Sequence, residues 1–161
     1  MRSKKRFLGT ISAMIAIFLP AAANAGISIS NDPMTDEKIR TLIIPSATQA
    51  PNSIGVMEDV HLVIRCKGSQ SDVFIVTTTY NADNRRTLIR WDKEEAQEDY
   101  WSPSANEDSL FAPSPKTMIT RLATANKLAF GWHPYAGGSR SVVFGLGSYR
   151  RDIRAMDSVC K

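Results

Sequence analysis

The chain has 161 residues, 43% of them hydrophobic, with 20 basic against 16 acidic residues and a formal charge of +4. That length suffices for one domain with a real core. Two cysteines and two histidines, without CxxC or HxxxH spacing, exclude a multi-disulfide scaffold and speak against a zinc site.

The positive charge is concentrated at the start. Arg2, Lys4, Lys5 and Arg6 precede an uncharged apolar run over residues 8–19, which is too short for a comfortable membrane span. Pro20 breaks the run, and Ala23-Asn24-Ala25 supplies the small-x-small pattern of a signal-peptidase site. The pattern predicts a cleaved signal peptide over residues 1–25 and a single β-rich domain over residues 26–161. Cleavage before Gly26 removes four of the 20 basic residues and none of the 16 acidic ones. The remainder is balanced in charge, so no basic face argues for nucleic acid. No second long apolar run follows. A soluble protein, periplasmic or secreted, is therefore expected once the leader is gone.

Residues 26–30 read as a short strand, and Asn31-Asp32-Pro33 starts a turn. Residues 39–44 form a β-branched run stopped by Pro45. Residues 46–55, rich in Ser, Thr, Asn, Pro and Gly, read as a loop. In residues 60–67, Val60, Leu62, Ile64 and Cys66 alternate with His61, Val63 and Arg65, which predicts a strand ending on a cysteine. After a hairpin-like connection, residues 72–80 have the strongest strand composition in the chain. Residues 81–84 make a second turn. Residues 86–91 form the next strand, with Leu88 and Arg90 opposite Ile89 and Trp91.

Residues 92–99 are acidic and read as a solvated loop, lacking the residue order of a calcium-binding hand. Extended structure resumes at Tyr100-Trp101-Ser102. Ser114-Pro115 is a helix start, and Met118, Ile119, Leu122 and Ala125 fall along one side of a helix over residues 116–125. Residues 127–132 and 141–146 alternate as strands, separated by a loop containing Pro134 and Gly137-Gly138. A last helix over residues 149–160 places Tyr149, Ile153, Met156 and Cys160 on one face, with Arg150, Arg151 and Arg154 outside.

Strands joined mostly by short turns argue for antiparallel pairing. The expected fold is mainly β (α+β): an antiparallel β-sandwich or open barrel with two short helices and one disulfide. Both cysteines lie on apolar faces that must pack on the core, and an exported chain with two cysteines implies a Cys66–Cys160 bridge.

No motif carries catalysis. Gly138-Ser139-Arg140-Ser141 lacks the spacing of a nucleophile elbow. His61 reads as a boundary residue on its strand and His133 as a hydrogen-bonded loop residue. The chain is expected not to be an enzyme and to hold neither metal nor cofactor. Arg65 and Arg90 sit on strands among apolar neighbours. Such an arginine pairs with a carboxylate, stacks on an aromatic ring or meets a ligand or partner. The expected ion pairs are Arg90–Asp92 and Arg65 with an acid on the neighbouring strand. Trp91, Tyr100, Trp101, Trp132 and Tyr135 divide between the core and a carbohydrate- or partner-binding surface.

Several short motifs occur in a fixed order: Asp32-Pro33-Met34-Thr35-Asp36, Leu62-x-Ile64-Arg65-Cys66, Leu88-Ile89-Arg90-Trp91-Asp92, Trp101-Ser102, and Val143-Phe144-x-x-x-Gly147 before a helix finishing at Cys160. In this order the chain resembles the VasI/TagO-like family of exported proteins associated with bacterial type VI secretion. The resemblance spans nearly all of residues 26–161. It implies a non-enzymatic periplasmic accessory protein with a protein partner in the cell envelope. Arg65, Arg90, Asp92 and Trp101 are the matched positions for a binding role. The alternative is a stand-alone exported binding or inhibitor protein of a mobile element, acting on an envelope target.

Overall fold

The computed structural model describes residues 26–82 and 85–160, so the expected leader, residues 1–25, lies outside the described residues. In chain order the strands are β1 (Ser28–Asn31), β2 (Lys38–Pro45), β3 (Ala50–Pro51), β4 (Met57–Glu58), β5 (His61–Lys67), β6 (Gln70–Val76), β7 (Arg86–Trp91), β8 (Gln97–Tyr100), β9 (Ser102–Pro103) and β10 (Ser109–Phe111). Helix α1 (Pro115–Thr124), β11 (Lys127–Trp132), β12 (Arg140–Gly145), a 3-10 turn (Gly147–Tyr149) and α2 (Arg150–Val159) complete the chain. One sheet has the order β1-β2-β5-β6-β10-β9, the other β12-β11-β7-β8, and β3-β4 forms a small hairpin. All the pairings are antiparallel, as expected for strands linked mostly by short turns. The sheets stay open, giving a sandwich-like arrangement and not a closed barrel.

Period-2 alternation builds the core between the sheets. Leu62, Ile64 and Cys66 of β5 are buried, as are Leu42 and Ile44 of β2 and Val73 and Ile75 of β6. The facing sheet contributes Ile89, Leu128, Phe130, Trp132, Val142 and Phe144. Each such side chain, fully buried, contributes about 1.5–3 kcal/mol of hydrophobic stabilisation before entropy is counted. The exposed edge of β12 is met by residues 47 and 48: the Ala47 amide donates to the Val143 carbonyl (2.6 Å), and the Val143 amide donates to Thr48 Oγ1 (3.0 Å).

The helices close one end. Met118, Ile119, Leu122 and Ala123 of α1, and Ile153 and Met156 of α2, join the core. Cys160, just past α2, is bridged to Cys66 near the end of β5, with Cα atoms 5.5 Å apart across a sequence separation of 94. Arg150 donates to the carbonyls of Ala123, Thr124 and Ala125 and to Asn126 Oδ1, satisfying acceptors that the end of α1 leaves open. At the same end, the Lys67 ammonium donates to Asp32 Oδ2 at 2.7 Å and ties the β1–β2 turn to β5.

The structure departs from the sequence reading in four places. The strand expected over residues 72–80 stops at Val76, because Thr78 adopts a left-handed φ of 58°. The Thr77, Thr79 and Asn81 side chains then bond to one another in place of a ladder. The acidic stretch is not all loop, since Gln97–Tyr100 pairs with β7. Its charges suit an edge strand and are answered across the pair, as Glu98 is by Arg86 at 2.7 Å. The loop expected over residues 46–55 contains Ala50–Pro51, one arm of the β3-β4 hairpin. Asn52 Oδ1 shapes the hairpin tip by accepting the Ile54 and Val56 amides, each at 3.0 Å. The last helix begins as a 3-10 turn, and its α-helical part starts at Arg150.

Candidate functional site

The four motif positions do not form one surface. Arg65 lies on the outer face of the six-stranded sheet. Its Nη2 donates to Asp72 Oδ2 on the neighbouring strand at 2.8 Å, and its guanidinium sits 5.3 Å from the Phe74 ring centroid. Arg90 projects from the outer face of the other sheet, where its Nε donates to the Glu94 carbonyl at 2.9 Å. The expected Arg90–Asp92 pair does not form, because the Asp92 carboxylate is occupied. Its Oδ1 accepts the Asn126 and Lys127 amides, each at 2.9 Å, and fastens the end of β7 to the start of β11. Trp101 is fully buried, 4.9 Å from Phe130 between ring centroids, and its Nε1 donates to Asp99 Oδ2. The four therefore lie at separate places: Trp101 packs in the core, Asp92 fixes local registry, and Arg65 and Arg90 stand on the outer faces of different sheets.

A different cluster gathers at the end of the sandwich opposite the disulfide. Chain direction puts it there: β6 starts beside Cys66 and ends at Val76, opposite His61. The segment after β6 carries Tyr80, and the β11–β12 loop carries Tyr135. The Tyr135 amide donates to the Tyr80 carbonyl at 2.9 Å, joining the two loops. Their rings meet edge-on with centroids 5.7 Å apart, and both remain open to solvent, Tyr80 at 53% and Tyr135 at 74%. Together with Asn52, Pro134, Gly137 and Arg140 they line a cleft of about 200 Å³.

A buried polar network holds the floor of this cleft. Trp132 Nε1 donates to Thr79 Oγ1 at 2.9 Å, Thr79 Oγ1 lies 3.2 Å from Asn81 Oδ1, and Asn81 Nδ2 donates to Thr77 Oγ1 at 2.9 Å. Thr77 Oγ1 donates in turn to the Asp108 carbonyl at 3.0 Å. A satisfied buried chain of this kind rigidifies the backbone that carries Tyr80.

Arg140 forms the polar wall. Its Nε donates to the Pro51 carbonyl at 3.3 Å, and its Nη1 donates to the Gly137 carbonyl. Gly137 has a φ of +89°, and a Cβ there would lie 2.6 Å from Arg140 Nη2, so glycine lets the guanidinium sit against the loop. The hydrogen bonds of Arg140 go to carbonyl oxygens, and among the described residues it forms no ion pair with a carboxylate. The tip of the β3-β4 hairpin lines the cleft with Ser53 and Gly55, and its neighbouring Ile54, Val56 and Met57 are exposed.

Other polar groups of the smaller sheet cluster at the same end. The Tyr100 hydroxyl donates to Glu98 Oε1 at 2.7 Å, and with Arg86 it holds the Glu98 carboxyl below its usual range. The same bond raises the Tyr100 phenol. His133 is a hydrogen-bonded loop residue, with Nδ1 3.0 Å from Ser139 Oγ on the exposed rim. The sequence reading named Tyr135 among candidate surface aromatics. Tyr80, expected at a strand end, and Arg140, expected in a turn, carry no local signal of a shared site. The available signal was a Pro- and Gly-containing loop flanked by an aromatic residue and an arginine.

No family model matches the chain, and no curated protein matches it. Among solved structures the fold is similar to that of invasion associated protein b from Bartonella henselae, with a TM-score of 0.52 and 9% identity over 82% of this chain and 89% of that one. At that identity the likeness concerns the fold alone.

Proposed function

We propose that the chain is an exported, disulfide-stapled, non-catalytic binding domain that engages a protein of the cell envelope through its tyrosine-lined end. The observation that carries this reading is the solvent-open Tyr80–Tyr135 pair beside Arg140, with the apolar hairpin tip next to it. Tyrosine and arginine are the residue types that dominate binding energy at protein interfaces, and a rigid floor lowers the ordering cost of binding. The bridge between Cys66 and Cys160 supports export, because such bonds persist in oxidising compartments.

The finer reading, an accessory protein of a type VI secretion system, rests on the order of the short motifs. A stand-alone binding or inhibitor protein of a mobile element is the second form of the same proposal. Deleting the gene separates them: loss of type VI effector release supports the first, and intact release with an altered envelope enzyme supports the second.

The binding reading is tested by quantitative capture from envelope extract, comparing the wild-type chain with a Tyr80→Ala/Tyr135→Ala variant of unchanged melting behaviour. Loss of a specific captured protein is expected in the variant. Equal capture by both would remove this end of the molecule as the contact surface. His61→Ala and His133→Ala are expected to leave the phenotype intact, and loss of function with folding preserved in either would contradict the non-catalytic role.

A further inference from the structure

Arg140 gives the cleft a chemical preference. Its positive charge is partly buried, held in place by carbonyl oxygens and, among the described residues, not neutralised by a carboxylate. Several other cations of the sandwich are answered by carboxylates: Arg65 has Asp72, Lys67 has Asp32, Arg86 has Glu98 and Arg121 has Glu94. Arg150 is also held by carbonyl and amide oxygens, but those close the end of α1 and do not line a cleft. Carbonyl dipoles orient a guanidinium without cancelling its charge. A carboxylate arriving from a partner would do so through charge-assisted hydrogen bonds. Tyr80 and Tyr135 stand beside it as apolar walls with polar tips, suited to the aliphatic stem and flanking backbone of an acidic side chain.

We propose that the cleft is a carboxylate-reading site for an acidic peptide segment of the partner, with Arg140 binding the carboxylate and Tyr80 and Tyr135 packing the segment around it. The size of the cleft, about 200 Å³, suits a single side chain and not a folded element. The exposed Ile54, Val56 and Met57 next to it favour a peptide over a sugar, since they extend the contact with apolar and not hydroxyl-matching surface. The inference rests on the binding reading above and specifies which group of the partner enters.

The test uses the oxidised protein purified after expression of the full chain, labelled for NMR. It is titrated with a blocked tripeptide, alanyl-glutamyl-alanine amide, with its glutamine counterpart, and with galacturonate as an acidic sugar. The glutamyl peptide is expected to shift the amides of Tyr135, Ala136, Gly137 and Gly138, and to bind about tenfold more tightly than the glutaminyl one, as hydrogen bonds to charged groups warrant. Arg140→Gln should erase that preference while leaving the rest of the spectrum and the disulfide unchanged, and Arg140→Lys should keep part of it. Equal shifts from the two peptides, or none from either, would overturn the proposal, as would binding of galacturonate without the peptide. If the peptides fail while envelope capture still depends on Tyr80 and Tyr135, the carboxylate inference falls and the binding reading stands.

Discussion

The two ends of this sandwich differ in what they leave facing solvent. At the helical end, polar and charged groups are mostly answered from within. Arg150 caps α1, Lys67 meets Asp32, and the two cysteines join Cys66 beside the end of β5 to the end of α2. At the loop end, two tyrosines remain exposed, and Arg140 is oriented by carbonyls and forms no ion pair with a carboxylate among the described residues. The first end spends its chemistry on holding the fold. The second holds its backbone rigid from below and keeps two aromatic rings at the solvent surface. On the proposed binding reading, the staple and the contact surface lie at opposite ends of the strands, so changes at the staple should leave binding largely intact.

That separation can be broken first at the staple. Cys160→Ser should lower the free energy of unfolding by about 2–5 kcal/mol, read by denaturant titration, and leave the tyrosine end able to bind wherever the protein stays folded. A loss of binding at full folding would tie the two ends together. A smaller effect is expected under the cleft. Thr79→Val leaves the buried Trp132 indole N–H without its acceptor and should cost about 1–3 kcal/mol. Because Thr79 lies next to Tyr80, this variant should also weaken binding, and a calorimetric comparison of melting and affinity checks both.

The smallest expected effect is acid-dependent. The hydrogen bond from Lys67, with backbone amides of Met34 and Thr35, lowers the Asp32 carboxyl from 3.8 to about 2. A depressed acid adds stability above its unfolded value that is lost as pH falls from about 4 through about 2. Asp32→Asn should therefore flatten the acid limb of the stability curve in that window. The effect should shrink in salt because the pair is near the surface. An unchanged limb would remove Asp32 as a contributor.

The fold was largely readable where pattern and period agree. The alternation in residues 60–67, 127–132 and 141–146 placed the core faces, and the faces of both helices matched the buried residues. The disulfide followed from two cysteines on inward faces of a chain with a leader pattern. The strand carrying Gln97–Tyr100 was hidden because charge signals a loop, whereas here each charge faces a cross-strand or neighbouring partner. The early stop of β6 was hidden because three threonines favour strands. The Thr77 and Thr79 hydroxyls instead build a polar knot with Asn81 and Trp132, a contact across many intervening residues, while Thr78 bonds back to the Thr77 carbonyl.

The candidate site was the least readable. Arg65, Arg90, Asp92 and Trp101 are conspicuous in sequence because they sit near strand ends, but assembly sends them to separate places, Trp101 into the core and Asp92 into the β7–β11 junction. Tyr80 and Arg140 lie far apart in the chain and meet only once both sheets are assembled. Neither has a local signal that distinguishes exposure from burial.

The most direct test of a recognition end distinct from a structural end is site-specific photo-crosslinking in the native envelope. A photoreactive amino acid is placed at position 135 in the cleft or at position 43, where Ile43 is exposed on the outer face of the six-stranded sheet. A defined partner adduct from position 135 and none from position 43 is the expected result. Adducts from position 43 with none from position 135 would contradict the division of roles and move the interface to the face of the large sheet.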